Sequence, residues 1–100
     1  MRERIVEIIL AAIQRENVLW EIPIDISAGE DTRLYGLDGQ VDSLGLVSLV
    51  VEVEGKIEQQ LGVSVTLVSD RAMSARRSPF ATMGSLADYA LGLTREVAGV

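Results

Sequence analysis

The residues best suited to chemistry are Asp42 and Ser43, which end a glycine-rich stretch just where a helical apolar pattern begins. Asp and Ser are favoured helix N-caps, so the pair alone could be structural, with Leu44 as the first buried residue of the helix. A hydroxyl at that position also lies near unpaired backbone N–H groups, where the helix dipole favours a phosphodiester. No general base or oxyanion hole accompanies Ser43, so we expect it to be modified by another enzyme rather than to act as a nucleophile.

The composition excludes most other catalytic and metal-binding chemistry. The 100 residues include no Cys and no His, which excludes disulfides, thiol nucleophiles, Cys/His zinc sites and histidine-based triads. We therefore expect neither a catalytic residue nor a metal ligand. Acidic residues outnumber basic ones by 15 to 9, and 12 of the acids lie in residues 1–60. The net charge of −6 argues against nucleic-acid binding and favours partners with basic surfaces.

Three segments with helical apolar spacing would position this site. They predict helices over residues 2–15, residues 43–61 and about residues 84–97, with Thr82 as a possible N-cap of the last one. The second helix has one stripe expected in the core: Leu46, Leu49, Val50, Val53 and Ile57. A second stripe lies towards the side that carries the site and could face either the core or a partner: Leu44, Val47 and Val51.

The connections between these helices complete the expected fold. Gly and Asp residues from Ile22 to Asp42 predict a long loop. Residues 63–67 alternate like a strand but have no sheet partner, so we expect an extended loop. Ser69 and Asp70 could cap a short helix over residues 71–74. Residues 1–100 therefore predict one all-α domain, a four-helix bundle with a long loop between helices 1 and 2 and a short third helix.

In this arrangement the chain resembles the freestanding acyl carrier proteins. The segment Asp42-Ser43-Leu44 matches the attachment motif of that family, with Ser43 at the modified position. The similarity continues in residues 4–13 of the first helix and in residues 83–89 at the start of the last helix. The stretch before the motif is also similar: Asp31, Thr32, Leu34 and Gly36. The resemblance covers nearly the whole chain and implies an acyl-carrier-like bundle.

The resemblance also implies a cofactor and partners. A phosphopantetheinyl transferase would use coenzyme A and Mg²⁺ to attach 4′-phosphopantetheine to Ser43, with Asp42 and Leu44 beside the attachment point. The chain would then be a carrier of acyl thioesters rather than an enzyme. An acyl- or aminoacyl-activating ligase and an acyltransferase or synthase would be its other partners. Matching positions on the second helix would form the docking face: Leu44, Val47, Val51, Glu52 and Glu54.

The chain departs from the fatty-acid carriers in two places. Acidic residues usually follow the motif in those carriers, whereas this chain has Gly45 and Ser48. The segment between residues 61 and 83 is also longer and carries three arginines: Arg71, Arg76 and Arg77. A tolerated surface insertion over residues 68–82 is one explanation. The other is a specialised carrier with dedicated partners, in a lipid, polysaccharide or secondary-metabolite pathway.

Two other functions remain open from the sequence. An aminoacyl or peptidyl carrier would be loaded by an adenylating ligase, and an unmodified helical protein would bind a partner through its acidic first half. We expect a monomeric cytoplasmic protein without membrane insertion, because no stretch approaches the roughly 20 apolar residues that a membrane span needs.

Overall fold

The computed structural model describes residues 2–36, 39–69, 72 and 78–98, and within these ranges the chain forms three α-helices and no strand. Helix α1 spans Arg2–Leu19, α2 spans Ser43–Leu61 and α3 spans Met83–Ala98. The predicted all-α class is confirmed. The predicted short helix over residues 71–74 lies outside the described residues except for Ala72, so the fourth helix stays a prediction, as does any role of the arginines near it.

Helix α1 runs four residues beyond its predicted end at residue 15. The isoleucine pattern that indicates the helix stops at Ile13, but Glu16 continues the same stripe and is buried. The chain leaves the helix at Trp20, whose N–H donates to the carbonyl oxygen of Glu16 at 3.0 Å. The side chain of Asn17 then bonds both the N–H and the carbonyl of Ile24, at 2.8 and 3.1 Å, which turns the following chain back.

The core lies between the three helices. Helix α2 contributes its predicted stripe, and all five of these side chains are fully buried: Leu46, Leu49, Val50, Val53 and Ile57. Helix α1 contributes five apolar side chains from its own stripe: Ile5, Ile8, Ile9, Ala12 and Ile13. Burial of each large aliphatic side chain stabilises the fold by about 1.5–3 kcal/mol. Helices α1 and α2 pack against each other through this core and run antiparallel. This packing brings Arg15 near Glu52 and Glu16 near Ser48.

Residues 63–69, after α2, form a loop and no strand, as predicted. Gly62 ends α2 in the left-handed conformation, with a φ of 72°. Leu67 is then buried, its N–H donates to the carboxylate of Glu54, and its carbonyl accepts from the hydroxyl of Tyr89 at 2.8 Å. These bonds hold the segment between α2 and α3.

The long loop before α2 is attached to the start of α3 by backbone hydrogen bonds. Leu34 donates to the carbonyl of Ala81 at 2.8 Å, and Met83 donates to the carbonyl of Thr32 at 3.0 Å. Thr82 caps α3 as predicted, because its Oγ1 accepts from the N–H of Ser85 at 3.1 Å. These bonds fix residues 32–34 of the loop against the start of α3.

A helix that spans a bilayer needs a run of about 20 mostly apolar residues. None of the helices in the described ranges is long and apolar enough to cross a membrane.

Candidate functional site at the start of helix α2

Ser43 is the first residue of α2, as predicted, and Asp42 is its N-cap. Asp42 has an extended backbone with φ −87° and ψ −178°, and its Oδ1 accepts a hydrogen bond of 2.8 Å from the N–H of Gly45. Its carbonyl accepts from the N–H of Leu46 at 2.9 Å, which starts the helical ladder. Asp42 thus fixes where the helix begins and leaves Ser43 in its first turn.

Ser43 is exposed, and so is Leu44 beside it. The backbone N–H groups of Ser43 and Leu44 make no hydrogen bond to another residue in the described part of the chain. Two unpaired donors at the positive end of a 19-residue helix favour a negatively charged group. The residues present therefore fit a phosphodiester on the exposed hydroxyl of Ser43.

Gly45 is explained by a close approach of Trp20 to the helix. A Cβ at this position would lie 3.3 Å from Trp20 Cη2 and 3.3 Å from Asp42 Oδ1, which is tighter than ordinary packing. A shallow cleft of about 270 Å³ lies here, and its lining is Trp20, Gln40, Val41, Asp42 and Gly45. The glycine therefore lets the end of α1 pack directly on the first turn of α2.

A buried carboxylate next to this contact was not recognised in the sequence. Glu16 accepts a hydrogen bond of 3.0 Å from Trp20 Nε1 and bonds of 3.2 Å from Ser48 Oγ. Buried polar groups are costly unless they are paired, and both partners here are neutral donors. The only available signal was the position of Glu16 on the isoleucine stripe, four residues before Trp20. This bond also gives Ser48 a structural role.

The second apolar stripe of α2 faces solvent. Leu44 is 81% exposed, Val51 is 58% exposed and Val47 is 44% exposed. The interpretation in which this stripe is buried, with Leu44 as the first core residue, is therefore wrong. The physical reason is that Leu46, Leu49 and Val50 already fill the core side of the same helix turns.

The two predicted docking acids are engaged within the chain. Glu52 forms an ion pair of 3.2 Å with Arg15 Nε and lies 4.0 Å from Lys56 Nζ. Glu54 accepts the hydrogen bond from the Leu67 N–H. Their roles in docking stay predictions, and the structure gives each of them a partner of its own.

The chemistry of the site follows from the groups that the structure places around Ser43. Asp42, the carboxylate nearest to Ser43 in the chain, uses its Oδ1 to cap the helix. No group of three or more potential metal ligands occurs in the described part of the chain. The described residues present an exposed hydroxyl, with no hydrogen-bonded side chain among them, at a helix N-terminus beside an exposed apolar surface.

Comparison with known proteins does not add to this description. No protein-family model, curated protein or solved structure matches this chain. The interpretation of the site therefore depends on its own geometry and on the residues of the sequence.

Proposed function

We propose that the chain is a carrier protein that holds acyl groups on a 4′-phosphopantetheine arm attached to Ser43. The observation that carries the proposal is the position of Ser43, exposed in the first turn of α2 next to an apolar stripe that the core does not use. A helix N-cap explains Asp42, but it does not explain the exposure of Leu44, Val47 and Val51.

The residues around Ser43 prepare it to accept the arm. Asp42 fixes the first turn of α2 through its bond to Gly45, and the contact of Trp20 with Gly45 holds that turn against α1. The N–H groups of Ser43 and Leu44, which have no partner among the described residues, would bond the phosphate oxygens. When bound, the group supplies the thiol on which acyl groups are carried as thioesters, a group that a chain without Cys lacks.

The enzyme that attaches the arm would supply the base, because no side chain in the described part of the chain hydrogen-bonds the hydroxyl of Ser43. Coenzyme A would be the donor: the serine oxygen forms a bond to the phosphorus, adenosine 3′,5′-bisphosphate leaves, and the serine proton passes to a base of the transferase or to solvent. Mg²⁺ bound by the transferase would neutralise the phosphates. The chain itself is then a substrate and shuttle and not an enzyme.

The proposal also covers the short third helix of the fold and the pathway in which the carrier acts. A short third helix over residues 71–74 would complete an acyl-carrier-like four-helix bundle. A ligase would load the arm, and an acyltransferase or synthase would unload it, in a specialised lipid, polysaccharide or secondary-metabolite pathway. The loading enzyme selects the cargo. Identifying that enzyme would therefore show whether the cargo is an acyl or an aminoacyl group.

The experiment is a modification assay read by intact mass. The purified chain is incubated with coenzyme A, Mg²⁺ and a promiscuous phosphopantetheinyl transferase. We expect the wild type and Ser48→Ala to gain the mass of one phosphopantetheinyl group, and Ser43→Ala to gain none. Ser48 is the matched control because it is the other serine of α2 and lies just over one turn further along.

Two results would contradict the proposal. One is an unchanged mass for the wild type under conditions that fully modify a known carrier. The other is equal modification of the wild type and Ser43→Ala. An unchanged mass would favour the alternative function, an unmodified helical protein that binds a partner. Such a protein would also use the exposed stripe on α2.

A further inference from the structure

Three large apolar side chains at the end of α1 are exposed and have no role in the core. Val18 is 83% exposed, Leu19 is 76% exposed and Ile22 is 81% exposed. We call them the α1-end cluster. They are more exposed than most residues of the α2 stripe. No sequence pattern indicates that they are exposed, because they follow the isoleucine pattern of α1 and precede the glycine-rich loop. Clustered exposed apolar side chains mark interaction surfaces more often than isolated ones do.

The α1-end cluster lies at the same end of the molecule as Ser43. Residues at and just after the end of α1 contact the first half of α2: Arg15 pairs with Glu52, Glu16 bonds Ser48, and Trp20 packs on Gly45. All three cluster residues lie within two positions of Trp20 in the chain. Gly45 is only two residues after Ser43, so the end of α1 flanks the turn that carries the hydroxyl.

An enzyme acting on Ser43 needs more surface than this turn offers. A standard protein interface covers about 800 Å² on each partner, which is about one eighth of the 6192 Å² surface of this chain. Residues 43–51 carry no charged side chain, so contacts to the first two turns of α2 are apolar or made by neutral hydrogen bonds. On the α1 side, the α1-end cluster offers additional exposed apolar surface.

The charges at this end indicate the chemistry of the partner. Glu21 lies within the cluster segment and Asp42 lies beside Ser43, and both are exposed. An enzyme that binds coenzyme A needs basic side chains for its phosphates near the reacting serine. The exposed acids Glu21 and Asp42, next in the chain to this apolar contact and to Ser43, are complementary to such a surface. A second copy of this acidic chain is a poorer match, and three side chains bury too little for a stable dimer.

We propose that the α1-end cluster is a second contact for the phosphopantetheinyl transferase that modifies Ser43. This inference depends on the proposed function of Ser43 and names one partner of that site. Leu19 and Ile22 would enter an apolar depression of the transferase, while Glu21 would face its basic side chains. The contact would contribute to binding of the carrier and not to the phosphoryl transfer, since no atom of the cluster reaches the reaction.

The test compares steady-state kinetics of arm attachment at varied carrier concentration. The variant Leu19→Ser/Ile22→Ser removes the apolar contact, and Val97→Ser is the matched control because Val97 is also exposed but lies at the end of α3. We expect the double variant to raise the KM for the carrier roughly tenfold with kcat unchanged, as for loss of a binding hot spot. Val97→Ser is expected to have the kinetics of the wild type.

A charge variant gives a second measurement in case the double variant folds poorly. Glu21→Lys is expected to raise the same KM, and its difference from the wild type is expected to shrink at high salt. A KM equal to that of the wild type in both variants would overturn the inference and leave the assignment of Ser43 intact. A fall in kcat without a change in KM would also overturn it. If the wild type is not modified at all, the proposed function fails first, and this inference fails with it.

Discussion

At the scale of single residues, Glu16 connects the site to the core. Its carboxylate is buried and accepts hydrogen bonds from Trp20 and Ser48, so one side chain joins the end of α1 to the first half of α2. Removing this acceptor breaks hydrogen bonds to a carboxylate from the half-buried Trp20 and the exposed Ser48, and a hydrogen bond to a charged group contributes about 1.5–3 kcal/mol. The position of Trp20 on Gly45 therefore depends on Glu16.

We predict that Glu16→Ala lowers the free energy of unfolding by about 1–3 kcal/mol. It should also change the fluorescence of Trp20, which is the only tryptophan of the chain. Chemical unfolding with fluorescence detection measures both. Glu58→Ala is the control, because Glu58 is exposed on α2. Equal stability of the two variants would show that the buried carboxylate does not hold the two helices together.

A second residue-scale prediction concerns two glycines of α2. A methyl group added at Gly55 would meet open space, whereas one added at Gly45 would lie 3.3 Å from Trp20 and Asp42. Alanine is favoured over glycine in a helix by about 0.5–1 kcal/mol. We expect Gly55→Ala to stabilise the protein by that amount and Gly45→Ala to gain less or to destabilise it. The same gain at both positions, measured by thermal unfolding, would contradict the close contact.

At the scale of elements, an ion-pair cluster joins three segments that are far apart in the sequence. Arg2 of α1 bonds the carboxylate of Glu30 in the long loop, and its Nε donates to Asp88 of α3 at 2.7 Å. These bonds lower the pKa of Glu30 below its ordinary value of 4.5 and raise the pKa of Arg2. All three groups are exposed, so the effect on stability is modest and sensitive to salt.

The sign of the pH dependence follows from the pKa of Glu30. A carboxyl whose pKa is lowered in the folded state stabilises the fold above its ordinary pKa of 4.5, and this contribution is lost as the pH falls through the lower folded-state pKa. We therefore predict that Arg2→Met has a melting temperature that depends less on pH than that of the wild type below about pH 4.5. Arg4→Met is the control, since Arg4 is exposed and makes no ion pair with another described residue. Parallel curves for the wild type and Arg2→Met would contradict the cluster.

The elements differ in how well the sequence predicts them. Both ends of α2 were predictable, because Asp42 is a local cap and Gly62 adopts the left-handed conformation that ends a helix. The end of α1 was not, because a buried polar Glu16 breaks the apolar pattern. Contacts such as Trp20 with Gly45 and Arg2 with Asp88 join residues remote in sequence, so no local pattern could indicate them.

At the scale of the whole molecule, the exposed apolar side chains are concentrated at one end. Six of the seven large exposed apolar residues in the described part belong to the end of α1 or to the first half of α2: Val18, Leu19, Ile22, Leu44, Val47 and Val51. Among the described residues, only Val97 lies elsewhere. Two exposed acids, Glu21 and Asp42, lie in the same segments, and Ser43 is the first residue of α2. That distribution is the surface that the proposed carrier would offer to its partner enzymes.

The central claim is tested most directly by locating the modification within the chain. Trypsin cleaves after Arg33 and Lys56, so residues 34–56 form one peptide that contains both Ser43 and Ser48. Fragmentation of this peptide by tandem mass spectrometry, after reaction with coenzyme A and a phosphopantetheinyl transferase, separates the two serines. We predict that the whole added mass lies on Ser43. Added mass on Ser48, or an unmodified peptide beside a fully modified control carrier, would contradict the account.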